Sequence, residues 1–479
     1  VELALLAQKL GRTPIVVIDR FHEIDLVIKT ARELGIRPHL GVRVRLATKG
    51  AGKWVESTGD RSKFGLSALE IVNAVERLRA EDMLDCLELL HFHIGSQITA
   101  IRAHKDALAE ASRVFVGLHQ MGAAPSIIDV GGGLGVDYDG SSTNFHSSKN
   151  YSTQEYANDV VAFIQEACDE AGVPHPDIVT EAGRAMVAHH SVLVFDVLGV
   201  NEVRSSEPPS PASEDDHKVL QELSEIWSGI SQKNVQESYH DLLQLKEEAS
   251  TLFSLGYLDL RARARVERLF WACCEKILRV VRELPYVPED LEDLEKGLAD
   301  TYYGNLSVFQ SAPDHWAVKQ LFPVMPIHRL DEKPTRRGVF ADLTCDSDGK
   351  IDQFIDQRDV KDVLELHAFT GAPYYIGMFL VGAYQEILGD LHNLFGDTDA
   401  VHVRLDDDGT YSVDHVVEGD AVDDVLHYVQ YERRALIEKV RRTIEDALRE
   451  GRISLEESAR LRRRYQQGLE EYTYLSRGD

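Results

Sequence analysis

Three short apolar runs, each breaking off into small or polar residues, constrain this chain more than any other feature. Leu87 to Leu90 leads into His91-Phe-His-Ile-Gly-Ser96, Ile127-Ile128 into Asp129-Val-Gly-Gly-Gly-Leu-Gly135, and Asp177 to Thr180 into Glu181-Ala-Gly-Arg184. Buried parallel strands that carry chemistry at their carboxyl ends have this form, and it is the layout of a β/α-barrel active site.

The surrounding sequence repeats the same unit. Strand patterns at Ile15 to Asp19, His39 to Leu46, Leu87 to Ile94 and Ser126 to Val130 alternate with helical spacing at Phe21 to Leu34, Ala68 to Arg79, Ala103 to Met121 and Gln154 to Ala171. Asp177 to Thr180 makes a fifth strand, where a closed barrel needs eight. The missing units are expected upstream of Val1, in a longer protein of which this chain is a piece.

The remainder reads differently. Ser191 to Val203 is a long strand region, Ser205 to Asp216 a linker rich in proline and serine, and His217 to about Leu298 is helical throughout. Strand-like segments return at Asn305 to Phe309 and Gly338 to Leu343, and a hairpin is expected from Ala400 to Leu405 and Tyr411 to Val417 around Asp408-Gly409. After Asp420 the chain is helical, with Ser454-Leu-Glu-Glu457 as a capping box. The expected organisation is a partial barrel over 1–190, a β-sandwich over 191–204 and 299–420, an inserted helical bundle over 205–298, and a helical extension over 421–479.

Charge narrows the function. With 52 Lys+Arg against 80 Asp+Glu the net charge is -28, which repels phosphate backbones and anionic lipid alike, so neither nucleic acid nor membrane is an expected partner. The longest strongly apolar run, Ser191 to Val200, contains Asp196 and is too short to span a bilayer. Five cysteines without a CxxC pair fit a reducing cytoplasm, and no metal-ligand spacing is visible.

The three segments, with Cys345-Asp-Ser-Asp348 and Gly382-Ala-Tyr384, resemble the fold-type III pyridoxal-phosphate decarboxylases, which pair an alanine racemase-like barrel with a β-sandwich. Gly41-Val-Arg-Val-Arg-Leu46, Ser62-Lys-Phe-Gly-Leu66, Phe309-Gln-Ser311, the long Gly382 to Asp397 phrase and the helical insert resemble the arginine decarboxylases of that group. The resemblance implies decarboxylation of L-arginine to agmatine and CO2 at the head of a polyamine route, and a homodimer or higher oligomer with shared sites. Magnesium dependence is implied by resemblance alone.

It also implies roles for individual residues. Gly131, Gly132, Gly133 and Gly135 would offer backbone amides to the cofactor phosphate, with Ser96 and Tyr384; Glu181 would hold the pyridine nitrogen, Arg184 would anchor the site, and His93 would stack on the ring. Cys345 would return a proton to the substrate carbon after CO2 leaves, while Asp346, with Asp300 and Asp129 beside it in that assignment, would bind the substrate. His91 is read as a packed residue on the opposite face from His93, without a catalytic role. Taken singly, each has a structural reading: a glycine cluster is a tight turn or a dinucleotide loop, Glu-x-x-Arg a surface ion pair, and an isolated cysteine a small buried hydrophobe.

In the family the cofactor lysine ends the first barrel strand, whereas Lys9, Lys29, Lys49 and Lys53 read as helix or loop. Two alternatives therefore stay open: a decarboxylase of another basic amino acid, such as ornithine, lysine or diaminopimelate, and a cofactor-free regulatory homologue.

Overall fold

The computed structural model describes residues 1–48, 62–203, 209–284, 288–291, 293–356 and 360–476. Two compact units emerge, the first made of 1–192, 317–323 and 379–387, the second of 193–316, 324–378 and 388–479.

The first unit is a parallel sheet in the order β1 (Ile15–Ile18), β2 (His39–Arg43), β3 (Leu87–His91), β4 (Ile127–Asp129) and β5 (Asp177–Val179). Strand order equals chain order because a helix returns the chain after each strand but the last: α2 (Glu23–Leu34) after the leading α1 (Glu2–Gln8), then α3 (Ala68–Ala80), α4 (Ile101–Gln120) and α5 (Thr153–Ala171). Each helix buries one stripe on the sheet, as with Ile24, Val27, Ile28 and Ala31 of α2, while Leu40, Val42, Leu90 and Ile128 answer from the strands. Removing a side chain such as Leu90, fully buried, costs roughly 2–5 kcal/mol. Local signals set the ends: Ser67 and Glu70 close a capping box on α3, and α2 and α5 stop at Gly35 and Gly172 in left-handed conformations. The end strands β1 and β5 pair on one side only, and β5 is exposed along its length.

The second unit is built on a seven-stranded mixed sheet. Its strands are β6 (Val192–Asn201), β7 (Asp300–Gly304), β8 (Val324–Pro326), β9 (Arg336–Ala341), β10 (Lys350–Ile351), β13 (Leu364–Leu366) and β14 (Tyr375–Phe379). The hairpin β11 (Phe354–Ile355) and β12 (Val360–Lys361) packs on it through the Phe354 ring against Phe340. Between β6 and β7 run three long helices, α6 (Lys218–Gly229), α7 (Val235–Ser254) and α8 (Leu260–Val281), which close their own core around Leu223, Leu242, Phe270 and Ile277. The linker expected over 205–216 falls partly outside the described residues.

Hairpin strands β15 (Ala400–Leu405) and β16 (Tyr411–Val417) have the expected bounds, and Ser454 and Glu457 form the expected capping box. One strand expectation fails. Asn305 to Phe309 is a turn and the start of the short helix Val308–Ser311, because Ser307 Oγ caps it by accepting from the Gln310 N–H. The ladder strand is instead Asp300–Gly304, just before it.

Candidate active site

Register places the polar residues of the first unit in one row. Arg43 of β2 pairs with His91 of β3, and His91 with Asp129 of β4, all at carboxyl ends of parallel strands. Beside that row lies a cavity of about 390 Å³ lined by Arg43, Phe64, His91, His93, Gly95, Ser96 and Glu181. His91 therefore faces the same cavity as His93, which corrects the opposite-face reading: side chains alternate with period two, so residues two apart share a face. His91 Nδ1 sits 2.9 Å from Asp129 Oδ2, and both residues are buried.

His93 Nδ1 accepts a hydrogen bond from the Gly132 N–H at 3.1 Å. Its proton thus belongs on Nε2. Burial, aided by the Arg43 guanidinium, lowers its pKa below the ordinary histidine value, which favours the neutral ring at neutral pH.

The glycine run is built for contact with the chain itself. A Cβ at Gly131 (φ +65) would lie 2.2 Å from Phe92 O, and one at Gly133 (φ +104) 2.9 Å from Gly95 O, so only glycine fits at either position. Three of the amides expected to meet phosphate are already used: Gly131 donates to Asp129 Oδ1, Gly132 to His93 and Gly135 to the Tyr151 hydroxyl. Among the described residues, the Gly133 and Leu134 amides donate to no protein acceptor. Of the four glycine amides expected at a phosphate, that of Gly133 keeps its N–H without a protein acceptor, and Leu134 beside it does the same.

Arg184 stands behind Ser96. Its Nε and Nη2 donate to Ser96 Oγ at 3.2 and 3.1 Å, its Nη1 donates to the Tyr138 hydroxyl at 2.9 Å, and the guanidinium lies 4.6 Å from the Tyr384 ring centroid. Tyr384 has φ +70, unusual for a side chain of its size, and Gly382 before it packs against Val187 O and His190. Glu181 is tied to the glycine loop by its N–H on Gly131 O at 2.8 Å, leaving its side chain exposed at the cavity.

The site consequently has a cationic, hydroxyl-bearing pole at Arg184 and Ser96 and a carboxylate at Glu181, with a neutral histidine ring in the lining. That donor set fits a group with an anionic phosphate, a flat ring and a protonated ring nitrogen, and the cavity is within the size range of cofactor sites. His91, Asp129 and Glu181 also bring one possible ligand atom each within 4.8 Å of one another, a group able to hold a metal ion.

Asp129 does not fit the substrate role assigned to it. It is 6% exposed, and its two oxygens face the Gly131 N–H and His91. Asp300 is 1% exposed, accepts from the Val203 N–H and lies 3.6 Å from Arg336 Nη1, so the chain's own guanidinium occupies the place a substrate would need.

In the second unit, Cys345 and Asp346 lie on the turn between β9 and β10. Cys345 is exposed and donates its N–H to Asn393 Oδ1 at 3.0 Å, and Asp346 lies 3.6 Å from His392, whose ring meets that of Phe309 at a tilt with centroids 4.6 Å apart. Buried Asp342 fixes the turn by accepting from Thr344 and from the Val308 N–H. The Phe309-Gln-Ser311 and Gly382 to Asp397 motifs meet here too, through Gln310 Nε2 donating to Asp397 Oδ1 at 2.5 Å.

Lys9 donates to Leu34 O and Lys29 lies on α2 beside Glu33, away from the cavity lining; Lys49 and Lys53 lie outside the described residues. Sequence reasoning gave no role to Arg43 and Phe64, although both sit in motifs it singled out. Arg43 lies over the Phe64 ring at 4.6 Å and 3.3 Å from Asp19 Oδ1. Its place at a strand end, level with His91, was the available signal.

Comparison with known proteins gives the family. Residues 4–188 match the family "Pyridoxal-dependent decarboxylase, pyridoxal binding domain", residues 213–295 the arginine decarboxylase helical bundle domain, and residues 422–475 the arginine decarboxylase C-terminal helical extension. The chain is 60% identical to the biosynthetic arginine decarboxylase of Gloeobacter violaceus, over 99% of its own length and 74% of that protein's. It is 58% identical to the biosynthetic arginine decarboxylase of a Nostoc species, over 99% of this chain and 70% of the other. The crystal structure of the biosynthetic arginine decarboxylase from Campylobacter jejuni superposes with a TM-score of 0.83 at 32% identity, covering 99% of this chain and 76% of that one. The diaminopimelate decarboxylase of Helicobacter pylori, at 15% identity and TM-score 0.55, shares the fold. The chain belongs to the biosynthetic arginine decarboxylases, within the pyridoxal-dependent decarboxylases.

Proposed function

We propose that this protein converts L-arginine to agmatine and CO2 with pyridoxal phosphate, in the cytoplasm and at the head of a polyamine route. The observation that carries the reading is the convergence of Ser96, His93 and Glu181 around one cavity, with buried Arg184 behind Ser96, in a chain of this family. When bound, pyridoxal phosphate supplies the electron sink for the pair left as the carboxylate departs. Ser96 would hold the phosphate, with the Arg184 guanidinium behind its hydroxyl supplying the positive charge. Glu181 keeps the ring nitrogen protonated by accepting its N–H, placing a fixed negative charge where positive charge must persist. His93, neutral, presents a flat face without adding charge. Cys345 delivers a proton to the α-carbon, which balances the CO2 lost, and Asp346 accepts from the substrate's guanidinium. These two residues act within a homodimer or larger assembly.

The test uses the protein as its source makes it, incubated with arginine, ornithine, lysine and diaminopimelate in turn while CO2 and amine products are measured. Agmatine from arginine, with little product from the others, supports the reading. Release from another amino acid redirects it, and no product with no bound cofactor leaves a regulatory protein. Borohydride reduction and peptide mapping then identify the lysine that carries the cofactor.

A further inference from the structure

We propose that Tyr151, held by His104, is a positioning residue for the phosphate end of the cofactor site, because its hydroxyl completes the bridge that locks the Gly133–Gly135 loop to the segment following Ser96. The inference rests on the reading of the cavity as a pyridoxal phosphate site.

Ile98 and Leu134 form an isolated parallel bridge. Such a bridge calls for two backbone bonds. One, from the Ile98 N–H to Gly133 O, is direct at 2.9 Å. The other, from the Gly135 N–H toward Ile98 O, is carried by a side chain: Gly135 donates to the Tyr151 hydroxyl at 3.0 Å, and that hydroxyl donates to Ile98 O at 2.8 Å.

A phenol has one proton and two lone pairs. With its proton on Ile98 O, the Tyr151 oxygen accepts from Gly135 and also from His104 Nε2, 3.1 Å away, so His104 must carry its proton on Nε2. The hydroxyl is saturated. His104 is clamped between the rings of Tyr151 and Tyr156 at centroid distances of 5.4 and 4.9 Å, and both His104 and Tyr151 are buried.

The loops so joined carry the groups suited to a phosphate. Ser96, two residues before Ile98, holds Arg184, and Gly133 and Leu134 bring amides that no described protein acceptor uses. Gln97 ties the same segments one residue further on, donating to Val136 O at 2.7 Å and accepting from the Val136 N–H at 2.9 Å, while the Gly135 N–H is met by the Tyr151 hydroxyl. A merely space-filling tyrosine would be replaceable by phenylalanine; a positioning one is not.

The experiment uses the full-length holoenzyme, stripped of cofactor and retitrated with pyridoxal phosphate and, separately, with pyridoxal. Tyr151→Phe is expected to weaken pyridoxal phosphate binding about tenfold, as if one hydrogen bond to the phosphate were lost, while pyridoxal affinity stays within about twofold. His104→Leu should behave like Tyr151→Phe, and His104→Gln, whose amide can still donate to the hydroxyl, should recover much of the loss. Wild-type pyridoxal phosphate affinity in Tyr151→Phe would overturn the proposal, as would equal weakening for both ligands with a lowered apoprotein melting temperature. Failure of the unsubstituted protein to bind either ligand would instead overturn the cofactor reading itself, and this inference with it.

Discussion

The guanidinium of Arg184 grips the hydroxyl of Ser96 twice, from Nε at 3.2 Å and Nη2 at 3.1 Å, across 88 residues of sequence. A lysine could bring charge to that place but not a two-point hold. Arg184→Lys should therefore release the cofactor more readily, with affinity falling roughly tenfold to a hundredfold, from about 1.5–3 kcal/mol of lost charge-assisted bonding. Fluorescence titration of the apoprotein reads this directly, and wild-type affinity would sink the phosphate role.

Glu181 is the carboxylate at the cavity edge, positioned by its own N–H on Gly131 O. Glu181→Gln keeps the shape and removes the charge. Turnover should drop on the order of 10²- to 10³-fold with cofactor still bound, as expected when a preorganised electrostatic partner is lost. A kcat within a few-fold of wild type would remove Glu181 from the chemistry.

For Cys345 the expected signature is in kcat. Cys345→Ala should slow arginine turnover roughly 10²- to 10⁴-fold, the range for losing a positioned proton donor, with arginine KM little changed because Asp346 remains. A raised KM with unchanged kcat would assign Cys345 to binding.

Acid stability should depend on His104. Burial lowers its pKa from 6.5 to about 4, with the Lys149 ammonium adding to the shift, and Tyr151 and Tyr156 are the titratable rings packed against it. Unfolding frees the ring to take a proton below pH 6.5, while the folded state resists down to about 4. Stability from the neutral ring is thus fully present above pH 6.5 and declines toward pH 4, by about 3 kcal/mol at 1.36 kcal/mol per pH unit. Melting temperatures of wild type and His104→Gln should converge across that window on acidification. Parallel curves would refute the assignment.

Gly131→Ala tests the glycine loop. The new Cβ would meet Phe92 O at 2.2 Å in a left-handed conformation, so backbone must move. A loss of roughly 1–3 kcal/mol or more is expected, seen as a lower midpoint in urea. Gly140→Ala, with φ +72 but open space around it, should cost less.

What the sequence determined by itself was local. Period 3.6 and period 2 located the βα units and the β15–β16 hairpin, and Ser454 with Glu457 announced a helix start, because each signal lies within a few residues of what it specifies. The apolar-to-polar breaks at His91 and Asp129 named two strand ends that bear the site, since a buried parallel strand must be apolar and its end need not be, whereas β5 before Glu181 is exposed. Tertiary structure decided the rest. Asn305 to Phe309 has strand-like residues, but Ser307 caps a helix there instead. Asp300 is an acid like any other in sequence; only folding brings Arg336 to it and buries both its oxygens from a substrate. Likewise Arg43, His91, and the Tyr151 hydroxyl between Gly135 and Ile98 owe their positions to strand register and loop packing between segments far apart in the chain. Spacing in sequence does not encode those distances, because they are set by which strands pair and which loops then touch.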